Sequence, residues 1–141
     1  MKSKDILVSP LRRIDTEGGD VMHGLKTTDN GYQGFGEAYF SWVSHGSVKA
    51  WKCHSEMTMN LIVPVGRVKF VFQLEDINGV NEFRSEIIGV DRYMRISVPP
   101  GIWFGFKGMD SQNLILNLAS IAHDPNEVKR LGLNDMDYIW R

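Results

Sequence analysis

Residues 46–66, GSVKAWKCHSEMTMNLIVPVG, decide how the rest of the chain is read. Their spacing is that of a metal-binding β-barrel motif, in which Gly is followed after five residues by His-x-His, then by Glu and a second Gly. Here Lys52 stands at the first His position, His54 at the second and Met59 where Glu would fall. An ammonium and a thioether do not replace imidazole and carboxylate around a hard or borderline cation. The segment therefore predicts the barrel without its metal, and no metal ligands are assigned.

Outward from this segment the chain is dominated by period-two patterning. Residues 37–43, 48–54, 59–63, 67–74, 81–88, 93–98 and 113–120 read as strands separated by short Gly, Asn, Asp or Pro punctuation. The alternation is cleanest in 67–74, which puts Val68, Phe70, Phe72 and Leu74 on one face. Asn78-Gly79 supplies a tight hairpin turn. One short C-terminal helix is expected: Asp124 as N-cap, Pro125 at N1, Glu127 at N3, Lys129 and Arg130 in the last turn and Gly132 as the stop. Many short strands with one late helix predict an all-β antiparallel jelly roll. At 141 residues it is one domain, 1–141.

Charge and composition narrow the partners. A net charge of −1 gives no basic field for nucleic acid. No apolar run approaches the roughly 18 residues of a membrane span, and Cys53 is the single cysteine, which excludes an intramolecular disulfide framework. The reading is a cytoplasmic protein with no nucleic-acid or membrane partner.

Four ordered motifs carry a resemblance: VSHGSVKAWKCH, NLIVPVGRVKFVF, VPPGIWFGF and the closing HDPNEV…LNDMDYIW. Together, from about residue 35 to the C-terminus, they resemble the dTDP-4-dehydrorhamnose 3,5-epimerase family of cupins, especially its short members. The resemblance implies a cupin jelly roll (a double-stranded β-helix), a homodimer, no cofactor, and a nucleotide-sugar ligand. In that family a His, helped by an Asp, removes a proton beside the ketone of a nucleotide-linked 4-keto-6-deoxy sugar. A Tyr protonates the opposite face and a Lys holds the enolate. Carried over position by position, the base His is Lys52 here, the Lys is Asn60, the Tyr is Asn117 and the His after Pro-Pro-Gly is Phe104. The Asp is kept as Asp135.

Strand parity places Lys52 and His54 on one face, with Lys49, Trp51 and Cys53 on the other. An ordinary Lys, near about 10.4, is too basic to serve as a base at neutral pH. Two readings stand: burial beside His54 lowers Lys52 until it acts as the base itself, or Lys52 stays charged and holds an enolate oxygen while His54 is the base, the reading slightly preferred. The candidate catalytic set is Lys52, His54, Asn60, Asn117 and Asp135, with Glu37, Lys49, Trp103 and Phe104 as candidate substrate contacts. Other readings stand beside this one. His54 reads equally as a hydrogen-bonded barrel residue, and Lys52 as an ion-pair partner of Glu37 or Asp135. His45 and His123 read as turn and capping residues. A non-catalytic nucleotide-sugar binder, a 3,4-ketoisomerase, and a metal-dependent cupin whose ligands the chain lacks are the rival functions.

Overall fold

In the computed structural model, residues 5–75, 78–79 and 81–141 are described. The strands are β1 (Leu7–Pro10), β2 (Arg13–Ile14), β3 (Val21–Met22), β4 (Glu37–Ser44), β5 (Val48–His54), β6 (Met59–Val65), β7 (Arg67–Glu75), β8 (Asn81–Gly89), β9 (Met94–Val98), β10 (Trp103–Gly108), β11 (Gln112–Ala119) and β12 (Val128–Arg130). Two five-stranded antiparallel sheets, ordered β1-β9-β6-β11-β4 and β12-β5-β10-β7-β8, form the jelly roll, and β2 pairs with β3 in a separate ribbon. The all-β cupin architecture expected from the sequence is the one observed.

The two-residue repeat explains the core. Val68, Phe70, Phe72 and Leu74 of β7 all enter it, packed with Leu61, Val63, Ile96, Ile115 and Phe104 from other strands. Each such burial contributes about 1.5–3 kcal/mol. Gly79, with φ +76°, lies between β7 and β8, where a left-handed residue was expected. Gly101, with φ +89°, turns the chain after Pro99-Pro100 and donates its N–H to the His54 carbonyl at 2.7 Å, which sets β10 beside β5.

On the outer face of β5, Trp51 and Cys53 are also buried. Trp51 is 1% exposed because the C-terminal tail folds over it. Trp140 and Tyr138 pack against it with ring centroids 5.5 and 6.2 Å away, and Phe83 of β8 lies at 5.9 Å.

The expected C-terminal helix does not form among the described residues. Asp124 does cap, its Oδ1 accepting from the Asn126 N–H at 2.9 Å, but only a single 3-10 turn (Pro125–Glu127) follows. Val128–Arg130 is then extended and pairs with β5. A helix this short is marginal by itself, whereas an edge ladder satisfies the backbone at once. No helix among the described residues is long and apolar enough to cross a membrane.

Candidate active site

A cavity of about 310 Å³ opens between the two sheets, where β4 ends one and β12 ends the other. Its walls are chemically distinct. From β5, β10 and β12 come Lys52, His54, Phe104, Phe106, Val128 and Arg130; from β4 and β11 come Glu37, Tyr39, Ser41, Ile115 and Asn117. Met59 and Leu61 of β6 add apolar surface.

His54 is the most constrained polar group in this space. It is 7% exposed, and its Nδ1 lies 2.5 Å from Glu127 Oε1. Glu127 is itself 4% exposed, and its other oxygen accepts the backbone N–H groups of Glu56 and Met57, each at 3.2 Å. Burial pushes the Glu127 carboxyl up, but the hydrogen bonds from His54, Glu56 and Met57 outweigh it and hold the group below its ordinary value. An ionised Glu127 accepts the Nδ1 proton and leaves Nε2 as the free basic nitrogen. Phe104 stacks over the imidazole at 6.0 Å with an interplanar angle of 18°. The ring is thus held by a carboxylate at one nitrogen and an aromatic face.

Two strand positions back on the same face, the Lys52 ammonium forms no hydrogen bond or ion pair with any described residue. The expected pairing with Glu37 or Asp135 is not made. Burial, then Arg130, then Lys49 push its ammonium below the ordinary lysine value. On the facing wall the Tyr39 hydroxyl accepts from Asn117 Nδ2 at 2.9 Å. Burial is the main cause that raises this phenol; the Asn117 hydrogen bond opposes it, and the Glu37 and Glu127 carboxylates add to it. Tyr39 is therefore a protonated donor at neutral pH.

Of the residues singled out from sequence, the structure brings Lys52, His54, Asn117, Glu37 and Phe104 to this cavity. Asn60 does not reach it. It projects from the opposite face of β6, where Oδ1 accepts from Arg95 Nε and Ser97 Oγ and Nδ2 donates to the Gly31 carbonyl. Asp135 is likewise elsewhere: it is exposed and caps a second 3-10 turn by accepting the Gly132 N–H at 2.6 Å. Trp103 pairs across β10 with Cys53 and Gln73 and does not line the cavity. Lys49 lines a neighbouring recess. His123, read as a capping residue, does line the cavity.

Sequence reading missed three residues. Tyr39 was legible in principle, because Glu37, Tyr39 and Ser41 share one parity of β4. Glu127 and Arg130 were hidden by the helix assignment. Asn117 stands where the resemblance places a Tyr, and its register partner on β4 is Tyr39. A phenol is thus present at that level of the barrel, from the neighbouring strand. Among the described residues no three His, Cys, Asp or Glu side chains converge as metal ligands.

Neither a family model nor a curated protein matches the sequence. Solved structures do. A dTDP sugar isomerase from Desulfovibrio desulfuricans G20 is 34% identical, with a TM-score of 0.86 over 92% of this chain and 85% of that one. A 3,4-ketoisomerase from Thermoanaerobacterium thermosaccharolyticum, solved with TDP-4-keto-6-deoxyglucose, shares the fold at 17% identity and a TM-score of 0.77, covering 93% of this chain and 90% of its own. A dTDP-6-deoxy-D-glucose-3,5-epimerase from Legionella pneumophila Philadelphia 1, in complex with dTDP-4-keto-L-rhamnose, shares it at 14% and 0.81, covering 96% and 77%. The first of these likenesses, joined to the ordered motifs and the cavity they line, makes the chain a member of the dTDP-4-dehydrorhamnose 3,5-epimerase-like family of dTDP-sugar isomerases.

Proposed function

We propose that the protein is a nucleotide-sugar epimerase acting on a dTDP- or other nucleoside-diphosphate-linked 4-keto-6-deoxy sugar by proton transfer through an enolate. The observation that carries this reading is the pair of proton-transfer groups on facing walls of one cavity, His54 backed by Glu127 on one side and Tyr39 on the other. Nε2 of His54 takes the proton from the carbon beside the ketone. The C–H electrons move to the ketone oxygen, and the Lys52 ammonium is placed to hold the resulting enolate. Collapse of the enolate, with a proton from the Tyr39 hydroxyl on the opposite face, gives the inverted centre. Solvent then returns a proton to Tyr39 and removes one from His54. General-base catalysis of this kind is worth about 10²–10⁴-fold.

A 3,4-ketoisomerase, the second reading, would take the C3 proton, pass the C3 hydroxyl proton to the C4 oxygen and deliver a proton to C4, so that the carbonyl moves to C3; the name of the Desulfovibrio dTDP sugar isomerase covers either outcome. The ligand class also suits a cytoplasmic protein. A homodimer fits the β4 edge, whose outward Phe40 and Trp42 are 62% and 60% exposed.

Incubation with dTDP-4-keto-6-deoxyglucose in heavy water, followed by NMR, tests the proposal. Deuterium at C3 or C5 with an inverted product is expected. His54→Asn should abolish both, whereas Tyr39→Phe should keep exchange and lose inversion. Carbonyl migration to C3 would select the isomerase, and binding without exchange would leave a non-catalytic binder.

A further inference from the structure

A phenol can give or take a hydrogen bond, and a general acid must be held as a giver. For Tyr39 the side chain opposite it settles the matter. Asn117 on β11 is the register partner of Tyr39 on β4, both line the cavity, and Asn117 is 3% exposed. Its Oδ1 accepts the backbone N–H of Asn60 at 3.2 Å, next to Leu61, where the register of β6 with β11 ends. A backbone N–H can only donate, so this contact fixes the carboxamide with its oxygen toward β6 and its nitrogen toward β4. Nδ2 then donates to the Tyr39 hydroxyl oxygen at 2.9 Å. Asn60 is held in turn, its side chain tied to Arg95, Ser97 and the Gly31 carbonyl on the other face of the sheet.

The phenol is left with one use. Asn117 occupies an acceptor position of its oxygen, and among the described residues its O–H meets only the Met57 thioether, a weak acceptor 3.9 Å away. That proton is available to any stronger acceptor that enters the cavity. Once it has gone, the phenolate keeps the bond from Nδ2, and a hydrogen bond to an ion is stronger than one to a neutral oxygen. The amide thus favours the proton's departure. Burial raises the phenol most, the Asn117 bond opposes this, and the Glu37 and Glu127 carboxylates act with burial. Lys52, His54, His123 and Arg130 are the other charged or titratable groups around the cavity.

We propose that Asn117 is a positioning residue that makes Tyr39 a one-way proton donor to the bound sugar. Because Tyr39 is the acid only under the function proposed above, this inference rests on that reading. In the step concerned the Tyr39 O–H bond breaks and the enolate π electrons form the new C–H bond on the face away from His54. The ketone re-forms, and the negative charge passes from the enolate to the phenolate, where the Asn117 N–H meets it. The position at which the resemblance places a Tyr therefore carries, in this chain, the group that aims a Tyr of the neighbouring strand.

NMR titration of protein labelled with 13C at tyrosine Cζ tests the pairing without any sugar, the Tyr39 signal being the one missing from Tyr39→Phe. Asn117→Asp keeps an oxygen for the Asn60 N–H but removes the donor, so the phenol proton turns to the new carboxylate. Asn117→Ala removes donor and acceptor and adds no charge, and it carries the test should the Asp variant fail to melt cooperatively. In each variant Tyr39 should ionise at a higher pH than in wild type. With dTDP-4-keto-6-deoxyglucose in heavy water, inversion should fall at least about tenfold more than exchange does, because His54 is untouched. An unshifted Tyr39 signal in both variants overturns the assignment, as does a loss of exchange equal to the loss of inversion. A shifted Tyr39 signal, where wild type neither exchanges nor inverts a 4-keto nucleotide sugar, leaves the Asn117–Tyr39 pairing standing and removes the epimerase.

Discussion

At the residue scale the site turns on Glu127. A neutral imidazole is a useful base only if its proton sits on the nitrogen away from the substrate, and a buried carboxylate at Nδ1 enforces that tautomer. Glu127→Gln keeps the shape but not the charge, so kcat should fall at least about 10²-fold with a smaller change in KM. The same substitution has a signature in stability. The folded carboxyl titrates below its ordinary 4.5, so the unfolded chain binds more protons between the two values. The contribution is fully present above the ordinary value and drains as pH falls through the folded one. The Tm gap between wild type and Glu127→Gln should therefore be widest near neutrality and close below about pH 4.5. Melting curves from pH 7 to 3 check this, and a gap independent of pH would contradict an ionised Glu127.

At the scale of elements, the segment after Asp124 carries more than its length suggests. One 3-10 turn aims Glu127 inward, and the Glu127 carbonyl accepts both the N–H and the hydroxyl of Ser55, at 2.8 and 3.0 Å. β12 then alternates, so Arg130 borders the cavity while Lys129 does not. Cap, Pro and Glu at the right offsets look the same in sequence whether one turn or three follow, which is why a helix was expected. The outcome was settled by the free edge of β5, which lies about 70 residues earlier in the chain. Asp124→Ala should cost about 0.5–2 kcal/mol in urea unfolding and also lower kcat, since the turn positions Glu127. A stability loss with kcat intact would show that the turn and the base are uncoupled.

For the whole molecule, β4 is an end strand whose inner face serves the cavity and whose outer face shows two large exposed aromatics. Such an edge is costly to leave bare, and the homodimer proposed above would cover Phe40 and Trp42. Sedimentation should find a dimer that Phe40→Glu with Trp42→Glu converts to monomer; a wild type that stays monomeric at all concentrations would refute the pairing. Legibility across the molecule followed the range of the interactions. Strand positions, the β7 core face and the common orientation of Lys52 and His54 were readable, because a side chain's parity along one strand is a local property. Asn60 was not, because residues 59–63 of β6 are buried throughout and alternation has no polar face to mark. By itself, then, the sequence determined a barrel with an imidazole and an ammonium side by side on one strand. Only tertiary structure decided that Glu127 rather than Asp135 backs the imidazole, that Tyr39 faces it, and that Arg130 joins the ammonium. Those pairings join strands and turns far apart in sequence, and chain closure, not local pattern, sets which of them meet.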